Sequence, residues 1–294
     1  MPSEREIRRR VRSVRNIQQV TRAMQTVAAS RMRRAQQAVL ASRPYEERLR
    51  AVLNDLAPHA DPEAHPLLVR RDVRRAAIVL ITTDRGLVGG LNTNVIRAAL
   101  RHAETLPGAS YVAVGRKAIG QLRRLRQPTT AEFSGFSERP TTQDTGIVAR
   151  VAIEEFLAAR VDEVYLTYTG FINTLRQVPV VRRILPFAPQ EDRAPSGEPS
   201  DASRPSRLEY LFEPDPETVL EAVLPRLIEL TVYQAALDSA ASEQSARMVA
   251  MRNATDNAAE LLEDLTLAAN KARQSRITKE MLEIASGAEA LGKG

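Results

Sequence analysis

Apolar residues recur at steps of three and four through the first stretch of the chain: Ile7, Val11, Val14, Ile17, Val20, Met24 and Val27. That spacing lines one face of an α-helix. No glycine falls between Glu4 and Asp55, and Pro44 is the only proline there. The pattern predicts a helix ending near Pro58, with a kink or brief break at Pro44, where a backbone donor is lost. The middle, about Arg74 to Pro189, alternates two periods. "AAIVLIT", "YVAVG" and "EVYLTYTGF" read as strands, and "VPVVRRILPF" as a further strand returning as a hairpin. "NTNVIRAALRHAE", "RKAIGQLRRL" and "TTQDTGIVARVAIEEFLAAR" read as helices, the last with Thr141 as N-cap. This predicts a Rossmann-like α/β domain, mostly parallel with one antiparallel addition.

A Pro/Ser-rich stretch, about 190–207, is predicted to be a mobile loop. Beyond it no glycine or proline interrupts the chain from Pro225 to Gly287. A helix over that stretch, opened by Pro225 in its first turn, would be roughly 90 Å long at about 1.5 Å per residue. Its inward positions are mostly alanines, with Met248, Met251, Leu262 and Leu265 filling the gaps. Neither terminal helix can bury its stripe alone. They are expected to pair as an antiparallel coiled coil with the α/β domain inserted between them. The predicted divisions are 1–58 for the first coiled-coil helix, 74–208 for the inserted domain and 209–294 for the second helix.

Composition narrows the function classes. There is no cysteine, so disulfides, thiolate catalysis and thiol redox control do not apply. Aromatics are only 4%, with no Trp, which suits alanine-packed helices better than an ordinary globular enzyme. The net charge of +6 points to an acidic partner. The arginine-rich start carries Glu4 and Glu6, which argues against an organelle presequence.

The candidate chemistry centres on "ITTDRGLVGGLN", Ile81 to Asn92, where an apolar strand feeds a glycine turn. A P-loop would need Lys and Ser/Thr after Gly90, but Leu91 and Asn92 follow. Gly86, Gly89 and Gly90 do not keep dinucleotide spacing, and "YVAVGRK" ends in cations rather than a ribose-binding acid. The turn is therefore expected to be structural, with Asn92 or Thr93 capping the next helix and Asp84 and Arg85 solvated. His59, His65 and His102 lack metal spacing. No catalytic residue, cofactor site or metal site is expected.

Blocks along the whole chain carry a resemblance: "VTRAMQTVAASRM", "ASRPYEE", "TTDRGLVGGLN", "YLFEPDP", "ASEQSARMVAMRNATDNA" and "NKARQSRITKEMLEIASGA". In this order they are similar to the gamma subunit of the F-type rotary ATP synthase, bacterial type. That family implies a central rotating shaft coupling ion-driven rotation of the membrane c ring to ATP synthesis or hydrolysis at the alpha/beta hexamer. Its partners are the alpha and beta subunits, the epsilon subunit and the c ring. The implied location is peripheral, on the cytoplasmic side of the bacterial plasma membrane. Carried over by motif, Arg8, Arg9, Arg10, Arg22, Met24, Arg247, Gln274, Thr278 and Glu280 are implied hexamer contacts. Arg43, Tyr45, Glu46, Tyr210, Phe212 and Glu213 are implied contacts of the foot with the c ring and epsilon. Phe212 departs from the Tyr of many relatives.

Two other readings stand beside this one. An arginine-rich coiled coil binding nucleic acid would explain the charge, but Glu260, Glu263, Asp264, Glu280 and Glu283 interleave the second helix, and no nucleic-acid partner is expected. A nicotinamide oxidoreductase needs the fingerprint that is missing.

Overall fold

The structure is a computed structural model that describes residues 4–56, 65–188 and 215–292. The first helix, α1, spans Glu4–Leu56 and the last, α5, spans Pro216–Gly292. Between them lie β1 (Ala76–Ile81), α2 (Leu91–Ala103), β2 (Ala109–Val114), α3 (Arg116–Arg124), β3 (Thr129–Phe133), α4 (Thr142–Leu157), β4 (Glu163–Phe171) and β5 (Gln177–Leu185). The predicted loop at 190–207 and the foot residues Tyr210, Phe212 and Glu213 lie outside the described residues. The chain divides into two compact units, Met1–Ala28 with Met248–Gly294, and Ala29–Arg247.

In the first unit α1 and α5 pair in antiparallel fashion. Glu4 accepts an ion pair from Arg276 at 3.1 Å, and the Thr21 and Thr255 hydroxyls meet at 2.8 Å. The seam on α1 differs from the apolar stripe read off the sequence. The inward positions are Ile7, Val11, Val14, Gln18, Thr21, Gln25 and Ala28, in steps of four and three. Ile17, Val20 and Val27 are about half exposed instead. On α5 the matching positions are Met251, Thr255, Ala258, Leu262, Leu265, Ala269 and Ala272, with the same alternation. A strict seven-residue repeat is the seam of a coiled coil, and it admits small polar residues where an apolar search skips them. The alanines and threonines let the backbones approach closely.

The second unit is built on a five-stranded sheet of order β3-β2-β1-β4-β5. The pairs β1–β2, β1–β4 and β2–β3 are parallel, and β4–β5 is antiparallel. The expected strands and helices are all present. β3, five residues on the sheet edge with no fully buried position, carries too weak an alternation to be read from sequence. One face of the sheet (Ile78, Leu80, Tyr111, Ala113) packs on Val95, Ile96 and Ala99 of α2 and on Ala118 and Leu122 of α3. The other face (Ala77, Val79, Ile81, Val112, Val114) packs on α4, on Leu53 of α1, and on Leu220, Leu224, Leu227 and Ile228 of α5. Covered on both faces, β1 is buried at every position, as a central parallel strand requires.

Helix boundaries correct three expectations. α1 runs uninterrupted through Pro44, because Pro44 and Leu40, whose carbonyl loses its partner, both face solvent. α5 opens at Pro216 rather than Pro225. Asp215 accepts from the Thr218 N–H at 2.8 Å and the Thr218 hydroxyl at 2.9 Å, an Asp cap followed directly by Pro in the first helical position. Gly287 lies inside α5, which ends at Gly292. Thr141 caps α4 as expected, in a reciprocal capping box with Asp144.

Candidate functional site

The glycine turn is where an open α/β sheet would bind a ligand, beyond the carboxyl ends of its strands at the point where strand order reverses. In this chain the place is occupied by its own atoms. The first three N–H groups of α3, the helix that follows β2 beside this turn, all have internal acceptors. Arg116 N–H donates to the Asp84 carboxylate at 3.0 Å, Lys117 N–H to the Thr83 carbonyl at 3.2 Å, and Ala118 N–H to the Thr82 hydroxyl at 2.8 Å. Asp84 also accepts from Gly135 N–H at 3.0 Å and from the Ser137 hydroxyl at 2.9 Å. One carboxylate thus ties together the loops that follow β1, β2 and β3. The expectation of a solvated Asp84 is corrected, because the strand order brings three loop ends to one point.

Asn92 is corrected too. Its side-chain oxygen accepts from Thr83 N–H at 3.1 Å and its amide donates to the Thr83 hydroxyl at 2.8 Å. α2 accordingly starts after Gly90 with no side-chain cap.

The crevice itself is filled by α5. Ala236, Ser239 and Glu243 reach between Thr82, Thr83, Val114, Phe136 and Ser137, leaving about 10 Å³, no more than one water. Polar residues of α5 bond what they cover. The Ser242 hydroxyl donates to the Thr169 carbonyl at 3.2 Å and the Ser245 hydroxyl to the Thr174 carbonyl at 2.6 Å. Glu243, 1% exposed, holds Arg247 at 2.7 Å, and burial pushes its carboxyl up despite that partner. Arg247 also donates to the Gly86 carbonyl at 3.4 Å. Sequence reading missed this row because four consecutive polar residues, Ser242 to Ser245, look like a solvated stretch. The alanines that flank them, in "QAALDSAASEQSAR", were the available signal.

Among the described residues no three metal-ligating side chains converge. His65 accepts from Leu67 N–H at 3.1 Å and His102 lies edge-on to Tyr165 at 4.2 Å; both are structural, while His59 lies outside the described residues.

The implied hexamer contacts fall in both units. Arg9, Arg10, Arg22, Gln274 and Thr278 are exposed. Arg8 is exposed but pairs with Glu4 at 2.6 Å, and Glu280 pairs with Arg276 at 3.5 Å. Met24 is half-buried, with neighbours on both the seam and the exposed Ile17–Val27 side. Arg247 sits inside the second unit. From Arg273 to Ser286 every side chain is exposed, including Ile277, Met281, Leu282 and Ile284. Of the implied foot residues, Tyr45 is 55% exposed, Arg43 is partly buried, and Glu46 binds Arg50 at 3.0 Å and Arg182 at 3.8 Å.

Near Arg43 and Glu46 lies Asp238, whose carboxyl burial pushes up to about 7, with Arg43 opposing and Glu46 adding to the rise. One of its oxygens is buried without a protein partner. Below about pH 4 the group is protonated whether folded or unfolded. As pH rises towards 7 the unfolded chain releases this proton and the folded chain retains it, so stability falls through that window and levels off above it. A shift of that size corresponds to at most about 4 kcal/mol. Asp238→Asn, which must still bury an amide, should raise stability by about 2 kcal/mol at pH 8 and by nothing at pH 3.5. Urea unfolding at both pH values measures it, and equal effects at the two would refute it.

Two long helices paired in antiparallel fashion, with an α/β domain between them in sequence, define the class: a coiled coil with an inserted α/β domain. The ATP synthase family matches residues 3–291. The ATP synthase gamma chain of Dehalococcoides mccartyi strain 195 is 47% identical over 99% of this chain and 100% of its own length; that of Roseiflexus castenholzii is 47% identical over the whole of both. A chain of the Euglena gracilis mitochondrial ATP synthase (OSCP, F1 and c-ring) shares the fold with a TM-score of 0.69 at 21% identity, covering 98% of this chain and 94% of that one. The chain belongs to the ATP synthase gamma-chain family.

Proposed function

We propose that this chain is the central rotating shaft of an F-type ATP synthase, with the segment 74–208 inserted between coiled-coil segments 1–58 and 209–294. It turns with the c ring and drives the alpha/beta hexamer through its catalytic states, holding no catalytic site of its own. Its partners are alpha, beta, epsilon and the c ring, and its place is peripheral, at the cytoplasmic side of a bacterial plasma membrane. The observation that carries this is the 47% identity extending over the full length of gamma chains. No described helix is long and apolar enough to cross a membrane, so attachment runs through the partners.

The hexamer contacts on this reading are the exposed Arg8, Arg9, Arg10, Arg22, Gln274, Thr278 and Glu280, with Met24 at the edge of the seam. Arg247 belongs to the same set. Arg43, Tyr45, Glu46, Tyr210, Phe212 and Glu213 form the foot. Exposed ion pairs contribute only about 0 to 1 kcal/mol each and are screened by salt. Single Arg→Ala changes at Arg9 or Arg10 should leave ATP synthesis near normal. Reversal of Arg8, Arg9 and Arg10 together to Glu should slow turnover or weaken assembly, most at low ionic strength. ATP hydrolysis and proton pumping of the reassembled complex across a salt series test this. A chain that fails to co-purify with alpha, beta and epsilon would end the shaft reading altogether.

A further inference from the structure

The amino-terminal edge of the sheet, opposite the glycine turn, carries a cleft of about 680 Å³. Two short segments line it: the residues leading into β1 and the turn between α4 and β4. They bring Arg71, Arg74, Arg75 and Arg160 around one space, with Asp72 and Asp162.

The charges there are not equally available. One oxygen of the Asp162 carboxylate, Oδ2, accepts from Arg74 N–H at 2.8 Å and from Arg75 N–H at 3.0 Å, pinning one segment to the other. Arg160 is paired with Glu155 at 2.8 Å. Arg71 is fixed in place, donating to the Phe156 carbonyl at 3.0 Å with its guanidinium 5.0 Å from the centre of the Phe156 ring. The side chains of Arg74 and Arg75 are exposed and form no ion pair among the described residues. The cleft therefore offers two exposed guanidinium forks beside a third that is already ordered, with the charges of Arg71 and Arg74 also acting on Asp162. Asp72, exposed at the same cleft, is free to accept from a hydroxyl.

We infer that this cleft binds a phosphoester: Arg74 and Arg75 grip the phosphate oxygens, Arg71 supplies fixed positive charge, and Asp72 accepts from a hydroxyl on the esterified group. Planar forks match phosphate oxygens two at a time, which a lone ammonium does not. The volume exceeds what a bare phosphate needs and leaves room for the esterified group. That chemistry occurs in soluble phosphoesters and in the headgroups of anionic phospholipids. The site is independent of the shaft contacts, since it shares no residue with them.

The test uses the full chain with two probes. Glycerol 3-phosphate is titrated by calorimetry at low salt. Vesicles of phosphatidylcholine with and without phosphatidylglycerol are assayed by co-sedimentation. Arg74→Ala/Arg75→Ala is compared with Arg9→Ala/Arg10→Ala, which removes equal charge elsewhere; Arg74→Gln/Arg75→Gln replaces the first variant if its melting temperature drops. The expected result is saturable binding that the cleft variant weakens at least tenfold and the control less than twofold. Binding of glycerol 3-phosphate identifies a soluble phosphoester as the ligand, and binding confined to phosphatidylglycerol vesicles identifies a headgroup. Saturable binding of neither probe, or equal losses in both variants, overturns the inference.

Discussion

Arg247→Ala should lower the stability of the chain by about 3 to 5 kcal/mol, the usual result of stranding one member of a buried ion pair. Glu243 is 1% exposed, its other oxygen has no protein partner, and Arg247 is the cation holding its charge. Removing both charges is a different experiment. Glu243→Gln with Arg247→Met leaves no orphaned ion and should recover most of the loss. Denaturant unfolding of the isolated chain measures both. An Arg247→Ala chain of native stability that nonetheless uncouples the assembled complex would place Arg247 at the hexamer surface instead.

Gly115→Ala is expected to be nearly as severe, at about 3 kcal/mol. Gly115 ends β2 with φ +94°, a conformation that costs little only without a side chain. An added Cβ would also fall on the backbone carbonyl of Thr82, which cannot swing aside as a side chain would. The Thr82 hydroxyl near that point is the acceptor for α3, so the damage should spread to the Asp84 knot. Amide hydrogen exchange should show faster opening at Arg116 and Gly135 together. Exchange unchanged there, with native stability, would mean the loop ends are not tied as a group.

Much of this fold was legible because period and length speak plainly. The run of β-branched residues in "AAIVLIT" read as a strand, and Thr141 marked a helix start. The coiled-coil pairing followed from two stripes with no other cover. What stayed hidden depended on strand order or on register. Asp84 looked solvated because its donors lie about 30 and 50 residues further along the chain. Ile17, Val20 and Val27 looked buried because after Val14 the apolar residues take a step of three where the seam takes four, and so fall one residue short of it. Gln18, Thr21 and Gln25 took the inner places, where small or bending side chains fit close-set backbones. The amino-edge cleft gave no sequence signal, since its arginines come from segments more than 80 residues apart.

The closed crevice also bears on how the chain is made. The sheet and its other helices lie between residues 76 and 185, yet the plug that fills the switch point is Ala236, Ser239 and Glu243. On the ribosome, the strands therefore emerge well before their cover does. Until α5 follows, the face of Ala77, Val79 and Ile81 is covered only in part, by α4 and Leu53, and incomplete cover is the condition under which nascent chains aggregate or recruit chaperones. A late frameshift in this gene would thus leave a sticky half-sandwich, not a shortened working part.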